Sequence, residues 1–290
     1  MASIRELKGR INSVHSSQKI TGAMKMISSA RLRKVESALN HARPYMEQLQ
    51  SVLDHVASEE SDEISPLSLA RPVQRVAIVV LASNEGLCGA FNVLLYKKLL
   101  EILKKYDGKV ESPIPVYLVG KKLLNDIKKI QGVKMMPIPE AFDKKQYSEG
   151  AIALTDELIQ CFLTGKIDRV EVIYAHYKSI GTQIVCSEQL LPLVPPKTNV
   201  LSEKERNRIY IYEPGKKEIL ETIYPLVLHA TMYRYLLENQ TSEQASRILS
   251  MQTANDNATK LLKTLQLEYN KLRQQNITTE LMDLVGGSME

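Results

Sequence analysis

The segment Ser83-Asn84-Glu85-Gly86-Leu87-Cys88-Gly89-Ala90-Phe91-Asn92 comes nearest to chemistry in this chain. Glycines between a strand and a helix can cradle a phosphate on backbone N–H groups, as dinucleotide folds and P-loops do. This turn lacks the third glycine of GxGxxG and the GK[ST] ending of a P-loop, and Glu85 would repel a phosphate at the helix that follows. Cys88 stands where a helix N-terminus lowers thiol pKa values. No His or Asp is tied to it by spacing, so a small packed residue is the simpler reading. His15, His41, His55, His176 and His229 show no HExxH or other metal-ligand spacing, and Cys88, Cys161 and Cys186 form no CxxC. No carboxylate pair stands out. The residue types argue for no catalysis, no cofactor and no metal.

The elements that carry this turn are more informative. In 290 residues, 44% hydrophobic and 24% charged, the composition is that of a folded protein, with no apolar run near the 18 residues a bilayer span requires. The start Met1-Ala-Ser-Ile-Arg-Glu has no signal-peptide apolar core, and three scattered cysteines form no disulfide framework, so a reducing, cytosol-facing compartment is expected. Charge is polarised: residues 1–40 hold eight Lys/Arg against Glu6 and Glu36, and residues 41–70 hold Arg43 against six acids. That suits a helix whose two ends meet different partners. Only one face of the basic end is cationic and it lacks aromatic stacking residues, which argues against nucleic acid.

Both termini read as long helices. Ser3-Ile-Arg-Glu6 is a capping-box pattern. Apolar residues then step 3-4-3-4 through Ile4, Leu7, Ile11 and Val14, and again from Leu32 through Val35, Leu39, Ala42, Met46, Leu49 and Leu53 to Val56, the seam of a coiled coil. Pro44 falls inside the second run and predicts a kink there. Between the runs the seam positions are Gln18, Thr21, Lys25 and Ser28, with apolar residues displaced to Ile20, Met24 and Ile27; this stretch is expected to pack differently or to face another protein. At the other end, 60 residues between Pro225 and Gly286 contain neither Gly nor Pro. As a helix they would extend roughly 90 Å, too long for a compact globule. Ile248, Met251, Asn255, Ala258, Leu262, Leu265, Tyr269 and Leu272 give the matching seam. The second helix, from about Lys216 with a bend at Pro225, outruns the first by about 15 residues, or roughly 22 Å. Ile277, Leu281, Met282, Leu284 and Val285 would then lack cover, which marks an interaction site.

The middle alternates strand and helix: strands at Val76–Ala82 and Pro115–Val119, helices at Phe91–Tyr106, Lys121–Ile130 and Ser148–Leu163, and a hairpin of Arg169–His176 with Gln183–Leu191 turning at Ile180-Gly181. This predicts an α/β domain on a mainly parallel sheet. The expected organisation is a helical segment over 1–60, the α/β domain over 71–212 and a second helical segment over 216–288, the two helices paired as an antiparallel coiled coil.

Three stretches carry a family resemblance: INSVHSSQKITGAMKMISSARLR (Ile11 to Arg33), Gly86-Leu-Cys-Gly89, and MQTANDNATKLLKTLQLEYNKLRQQNITTELMDLVGGS (Met251 to Ser288). In order, and over the whole length, they resemble the gamma subunit of F-type rotary ATP synthases. The most specific motif is Asn270-Lys-Leu-Arg-Gln274 followed by Ile277-Thr-x-Glu280. The resemblance implies an inserted Rossmann-like α/β domain between the coiled-coil helices. It also implies a non-catalytic rotor shaft, one copy per complex, which couples proton flow to ATP synthesis or hydrolysis. Its partners would be a hexamer of alpha and beta subunits, the epsilon subunit and the c-subunit ring. The location would be the cytoplasmic side of a bacterial inner membrane, as a peripheral subunit. By the same resemblance Met24, Arg273, Gln274 and Thr278 would touch moving beta loops. Lys25, Arg31, Arg33 and Lys34 would face acidic beta loops, and Leu281 and Leu284 belong to the tip held in a hydrophobic sleeve. Asn84-Glu85 stands where the family often has Asp-Arg or Asp-Lys, and Ser288 replaces the usual Ala. The cysteine-bearing insertion of the chloroplast proteins is absent. The alternative of another class is a nucleotide-binding α/β enzyme with coiled-coil arms.

Overall fold

The computed structural model describes residues 3–58, 65–193, 213 and 215–287, with side chains in the last helix described up to Met282. The elements in chain order are α1 (Ile4–Ser58), β1 (Val76–Leu81), α2 (Phe91–Tyr106), β2 (Ile114–Val119), α3 (Leu124–Ile127), β3 (Val133–Met136), a 3-10 turn (Glu140–Phe142), α4 (Tyr147–Leu163), β4 (Arg169–Ser179), β5 (Thr182–Leu191) and α5 (Lys216–Gly287). Helix α1 passes through Pro44 and α5 through Pro225 without interruption, although each proline withholds an N–H from the carbonyl four residues back. The expected α/β range extends to 212, and its last part, 194–212, lies outside the described residues. The chain divides into two compact units, Met1–Ala30 with Arg247–Glu290, and Arg31–Ser246.

The first unit is an antiparallel helix pair. Gln18 Nε2 of α1 donates to Thr259 Oγ1 of α5 at 2.8 Å, and four residues further along α1, Gly22 faces Asn255. Position numbers rise on one helix as they fall on the other. Leu7 on α1 and Leu262 and Leu265 on α5 are buried in it. The stretch expected to leave the seam does not leave it. Gln18, Thr21, Gly22 and Lys25 are half-buried and Ser28 is buried, while Ile20, Met26 and Ile27 are 62%, 74% and 46% exposed. The physical reason is register: the 3-4 spacing is geometrically unbroken, so the polar side chains ride in the seam and find partners there. The capping box is half formed. Ser3 Oγ accepts the Glu6 N–H at 3.2 Å, whereas the Glu6 carboxylate takes the cationic Arg10, one turn on, at 3.1 Å.

The second unit is built on a five-stranded sheet of order β3-β2-β1-β4-β5, parallel except for the β4–β5 hairpin, whose two-residue loop is Ile180-Gly181. Every residue of β1 is buried because helices cover both faces. One face packs α4 with Leu53 and Val56 of α1 and with Leu220, Tyr224, Leu228, Met232 and Leu236 of α5; the other packs α2 and Ile127 of α3. The helix expected over 121–130 contracts to one α-turn, because i→i+3 bonds (Leu124 N–H to Lys121, Lys129 N–H to Asp126, Ile130 N–H to Ile127) take over on both sides. Strand β3 was not expected from the sequence. It is a four-residue edge strand paired to β2 from Ile114↔Val133 to Tyr117↔Met136, too short to show a period.

Candidate functional site

The glycine turn is tied up internally. Ser83 is fully buried; its Oγ donates to the Glu85 carbonyl at 2.7 Å, and its N–H donates to Asn92 Oδ1 at 3.2 Å. Asn92 Nδ2 reaches Ser83 Oγ at 2.8 Å and Cys88 Sγ at 3.3 Å. Cys88 is 2% exposed, a packed residue inside the turn and not an accessible nucleophile. Gly120, with φ +108, lets β2 turn away beneath Ala82, and the Lys122 N–H donates to the Ser83 carbonyl at 3.1 Å. Glu85 leaves the turn and meets Arg31 of α1 at 3.3 Å, both about half exposed. The carboxylate of the turn is thus answered by a cation of α1.

The crevice of this sheet is also filled. Ligands of open α/β sheets bind beyond the carboxyl ends of the strands where strand order reverses, here between β1 and β4. β1 pairs with β4 only as far as Val80↔Ile173, which leaves the Ala175 backbone without a β1 neighbour. Asn239 Oδ1 of α5 accepts the Ala175 N–H at 3.0 Å, and Ser242 Oγ donates to the Ala175 carbonyl at 2.8 Å. Ser246 Oγ donates to the Cys88 carbonyl at 3.0 Å. Glu238 Oε2 lies 2.5 Å from His176 Nδ1. Beside them Tyr174 and Tyr235, stacked at 4.4 Å, donate to the two oxygens of Glu188 at 2.6 and 2.7 Å. Burial first, and the Glu188 carboxylate second, push both phenols far above the ordinary tyrosine range. They are fixed donors with no part in proton transfer near neutral pH. A cleft of about 560 Å³ lined by Arg31, Lys34, Asn84, Glu85, Tyr147 and Glu243 mixes both signs of charge. Among the described residues no group of three or more His, Cys, Asp or Glu could hold a metal ion, and no helix is long and apolar enough to cross a membrane.

The residues expected to meet partners fall into separate zones. On the helix pair the register that joins Gln18 to Thr259 sets Met24 and Lys25 level with about residues 252–253 of α5, both half-buried. It sets Arg273 level with the start of α1. Twenty residues of helix, about 30 Å, separate those two levels. Every described side chain from Arg273 to Met282 is exposed, including Gln274, Thr278 and Leu281; Leu284 has its side chain outside the described residues. Thr278 Oγ1 donates back to the Gln274 carbonyl at 2.9 Å, so its hydroxyl is held along the helix. In the second unit Arg33 and Lys34 are exposed, and Arg31 is engaged with Glu85. Sequence reasoning passed over Met26, at 74% the most exposed large apolar residue among the described residues; its place beside Met24 and Lys25 was the available signal.

Comparison with known proteins agrees with this geometry. A family profile described as ATP synthase matches residues 3–289. The ATP synthase gamma chain of Bacteroides fragilis is 42% identical over 292 residues, and that of Bacteroides thetaiotaomicron 40% over 301, each alignment covering the whole of both chains. The chain belongs to the ATP synthase gamma-chain family. A more distant gamma chain, from Flavobacterium johnsoniae, is 37% identical over 99% of this chain and 98% of its own. Chains in two structures of the Euglena gracilis mitochondrial ATP synthase share the fold of this chain with TM-scores of 0.61 and 0.66, at 16% and 18% identity, covering 94% and 99% of this chain and 98% and 93% of their own. A chain of the Tetrahymena thermophila central stalk and c-ring does so at 0.55 and 20% identity, over 81% of this chain and 99% of its own. The fold is the gamma-family one: terminal helices paired antiparallel, with a Rossmann-like α/β domain inserted between them.

Proposed function

We propose that this chain is the central rotor shaft of an F-type ATP synthase and has no catalytic site of its own. It couples proton flow across a bacterial inner membrane to ATP synthesis or hydrolysis in the beta subunits. The observation that carries this reading is the uncovered end of α5. Ile277, Leu281 and Met282 are 48%, 57% and 70% exposed on a helix whose partner has already ended. A hydrophobic sleeve formed by a ring of alpha and beta subunits would cover them, and a smooth apolar contact lets a shaft turn without breaking fixed bonds. Met24, Lys25, Arg273, Gln274, Thr278, Leu281 and Leu284 of the helix pair, with Arg31, Arg33 and Lys34 of the second unit, are the residues assigned to the alpha and beta subunits. The epsilon subunit and the c-ring complete the set of partners, with one copy of this chain per complex on the cytoplasmic side of the membrane.

Against the enzyme alternative stands the crevice itself, where Asn239, Ser242 and Ser246 of α5 already engage the Ala175 backbone and the Cys88 carbonyl in the space a nucleotide would enter. The purified chain is expected to hydrolyse no ATP alone, and to restore ATP-driven proton pumping when combined with the alpha, beta, epsilon and membrane subunits in vesicles. ATPase activity of the chain by itself would overturn the proposal.

A further inference from the structure

We propose that Asn239, Ser242 and Ser246 form a polar clamp that fixes the rotational setting of α5 against the sheet, and so act as positioning residues for torque transfer. The inference rests on the rotor reading above. The three positions are spaced three and four apart and lie on one stripe of the helix. They grip two separate pieces of backbone: both polar atoms of Ala175 in β4, and the Cys88 carbonyl in the turn after β1. Glu238, beside Asn239 on the same helix, engages His176, beside Ala175 on the same strand.

Apolar packing alone cannot do this. Leu228, Met232 and Leu236 bury α5 against the core of the same unit, but hydrophobic contact is non-directional and tolerates small rotations. A hydrogen bond does not. A side-chain tip about 5–6 Å from the helix axis moves roughly 2 Å when the helix rotates by about 20°, enough to break a bond of 3.0 Å. Asn239 and Ser242 are 3% and 0% exposed, so no water substitutes for the lost partner. A rotor element loaded in torsion needs a joint of this kind where it meets its domain.

The test uses the assembled complex in vesicles, with ATP hydrolysis and proton pumping measured on the same preparation. Asn239→Leu with Ser242→Ala, which removes two buried hydrogen bonds, is expected to hydrolyse ATP within about twofold of the parent, while protons pumped per ATP fall by at least about fivefold, the factor that accompanies loss of a single ordinary net hydrogen bond. Ser246→Ala shifts the ratio in the same direction, and Ser246→Thr, which keeps the hydroxyl, restores it. Leu158→Ala, a cavity in the apolar core that α4 shares with α5, removes none of the clamp's hydrogen bonds; it lowers thermal stability but leaves the ratio at the parent value. If the double variant does not assemble, the two Ser246 variants decide the matter. An unchanged ratio in the clamp variants, or an equal loss in Leu158→Ala, overturns the clamp. Failure of the parent chain to restore pumping would instead overturn the rotor reading.

Discussion

Gln18 and Thr259 meet across the terminal helix pair through a 2.8 Å hydrogen bond, at a seam position where a coiled coil ordinarily carries leucine. The Thr259 hydroxyl passes its own proton to the Asn255 carbonyl at 2.9 Å, so the pair is a short relay ending on backbone. Such layers set register at some cost in stability. Gln18→Leu is therefore expected to stabilise the chain by about 0.5–1 kcal/mol, since apolar area replaces a half-buried amide while the Thr259 proton keeps its acceptor. Thermal melts of Gln18→Leu, Thr259→Val and the double variant check this; a net loss of stability in Gln18→Leu would contradict it.

Asp168 gives the clearest acid dependence. Its carboxylate, 4% exposed, receives the N–H groups of Gln74 and Arg75 at 3.2 and 2.9 Å and the Arg75 guanidinium at 3.3 Å. Burial alone would raise its pKa; the Arg75 side chain and the two backbone donors outweigh burial and hold it below the ordinary 3.8. The folded state thus binds the proton less readily than the unfolded chain. The stabilisation is complete above pH 3.8 and is lost as pH falls through the depressed folded value. Asp168→Asn should cost about 2–3 kcal/mol at pH 7 and flatten the fall of stability below about pH 4. Denaturant titrations at pH 7 and pH 3 measure both effects.

Two glycines separate strain from space. Gly120 has φ +108, and a Cβ there would lie 2.4 Å from the Ala82 carbonyl oxygen, a rigid backbone atom. Gly108 has φ +67 with nothing within 4 Å. Gly108→Ala should cost about 1 kcal/mol, from conformation alone. Gly120→Ala should exceed about 3 kcal/mol, because β1 and β2 must part at Ala82 to admit the methyl group. Equal melting temperatures for the two variants would contradict the geometry.

Much of this was legible in the residues, and the reasons differ by element. Val76 to Leu81 announced a strand buried on both faces because a run of Val, Ile and Ala without polar interruption fits nothing else of that length. β3 was hidden because four residues, three half-buried and Lys134 exposed, are too few to carry a period, and α3 because i→i+3 bonds look helical in sequence. The polar seam at Gln18 read as a departure, since spacing does not show that Thr259 stands opposite. Asn239 and Ser242 read as an ordinary polar helix face. Their meaning depends on where β1 stops pairing with β4, a fact of topology that no local pattern encodes.

The uncovered end of α5 separates folding from function. Leu281 and Met282 are 57% and 70% exposed, and the register of Gln18 with Thr259 leaves nothing of α1 opposite them. Both side chains are mostly exposed, so Leu281→Asp with Met282→Asp should shift folding stability by less than about 0.5 kcal/mol and improve the solubility of the free chain. In the assembled complex the same change would set two carboxylates against a hydrophobic sleeve and weaken the coupling of hydrolysis to pumping. Truncation after Leu272, which removes the exposed end but leaves the buried Leu7, Leu262 and Leu265, should act on the complex in the same direction. Melts of the free chain and torque on single assembled motors are the two measurements. Torque equal to the parent in both variants would mean that the apolar end bears no load, and a large stability loss in the free chain would mean that it is covered from within.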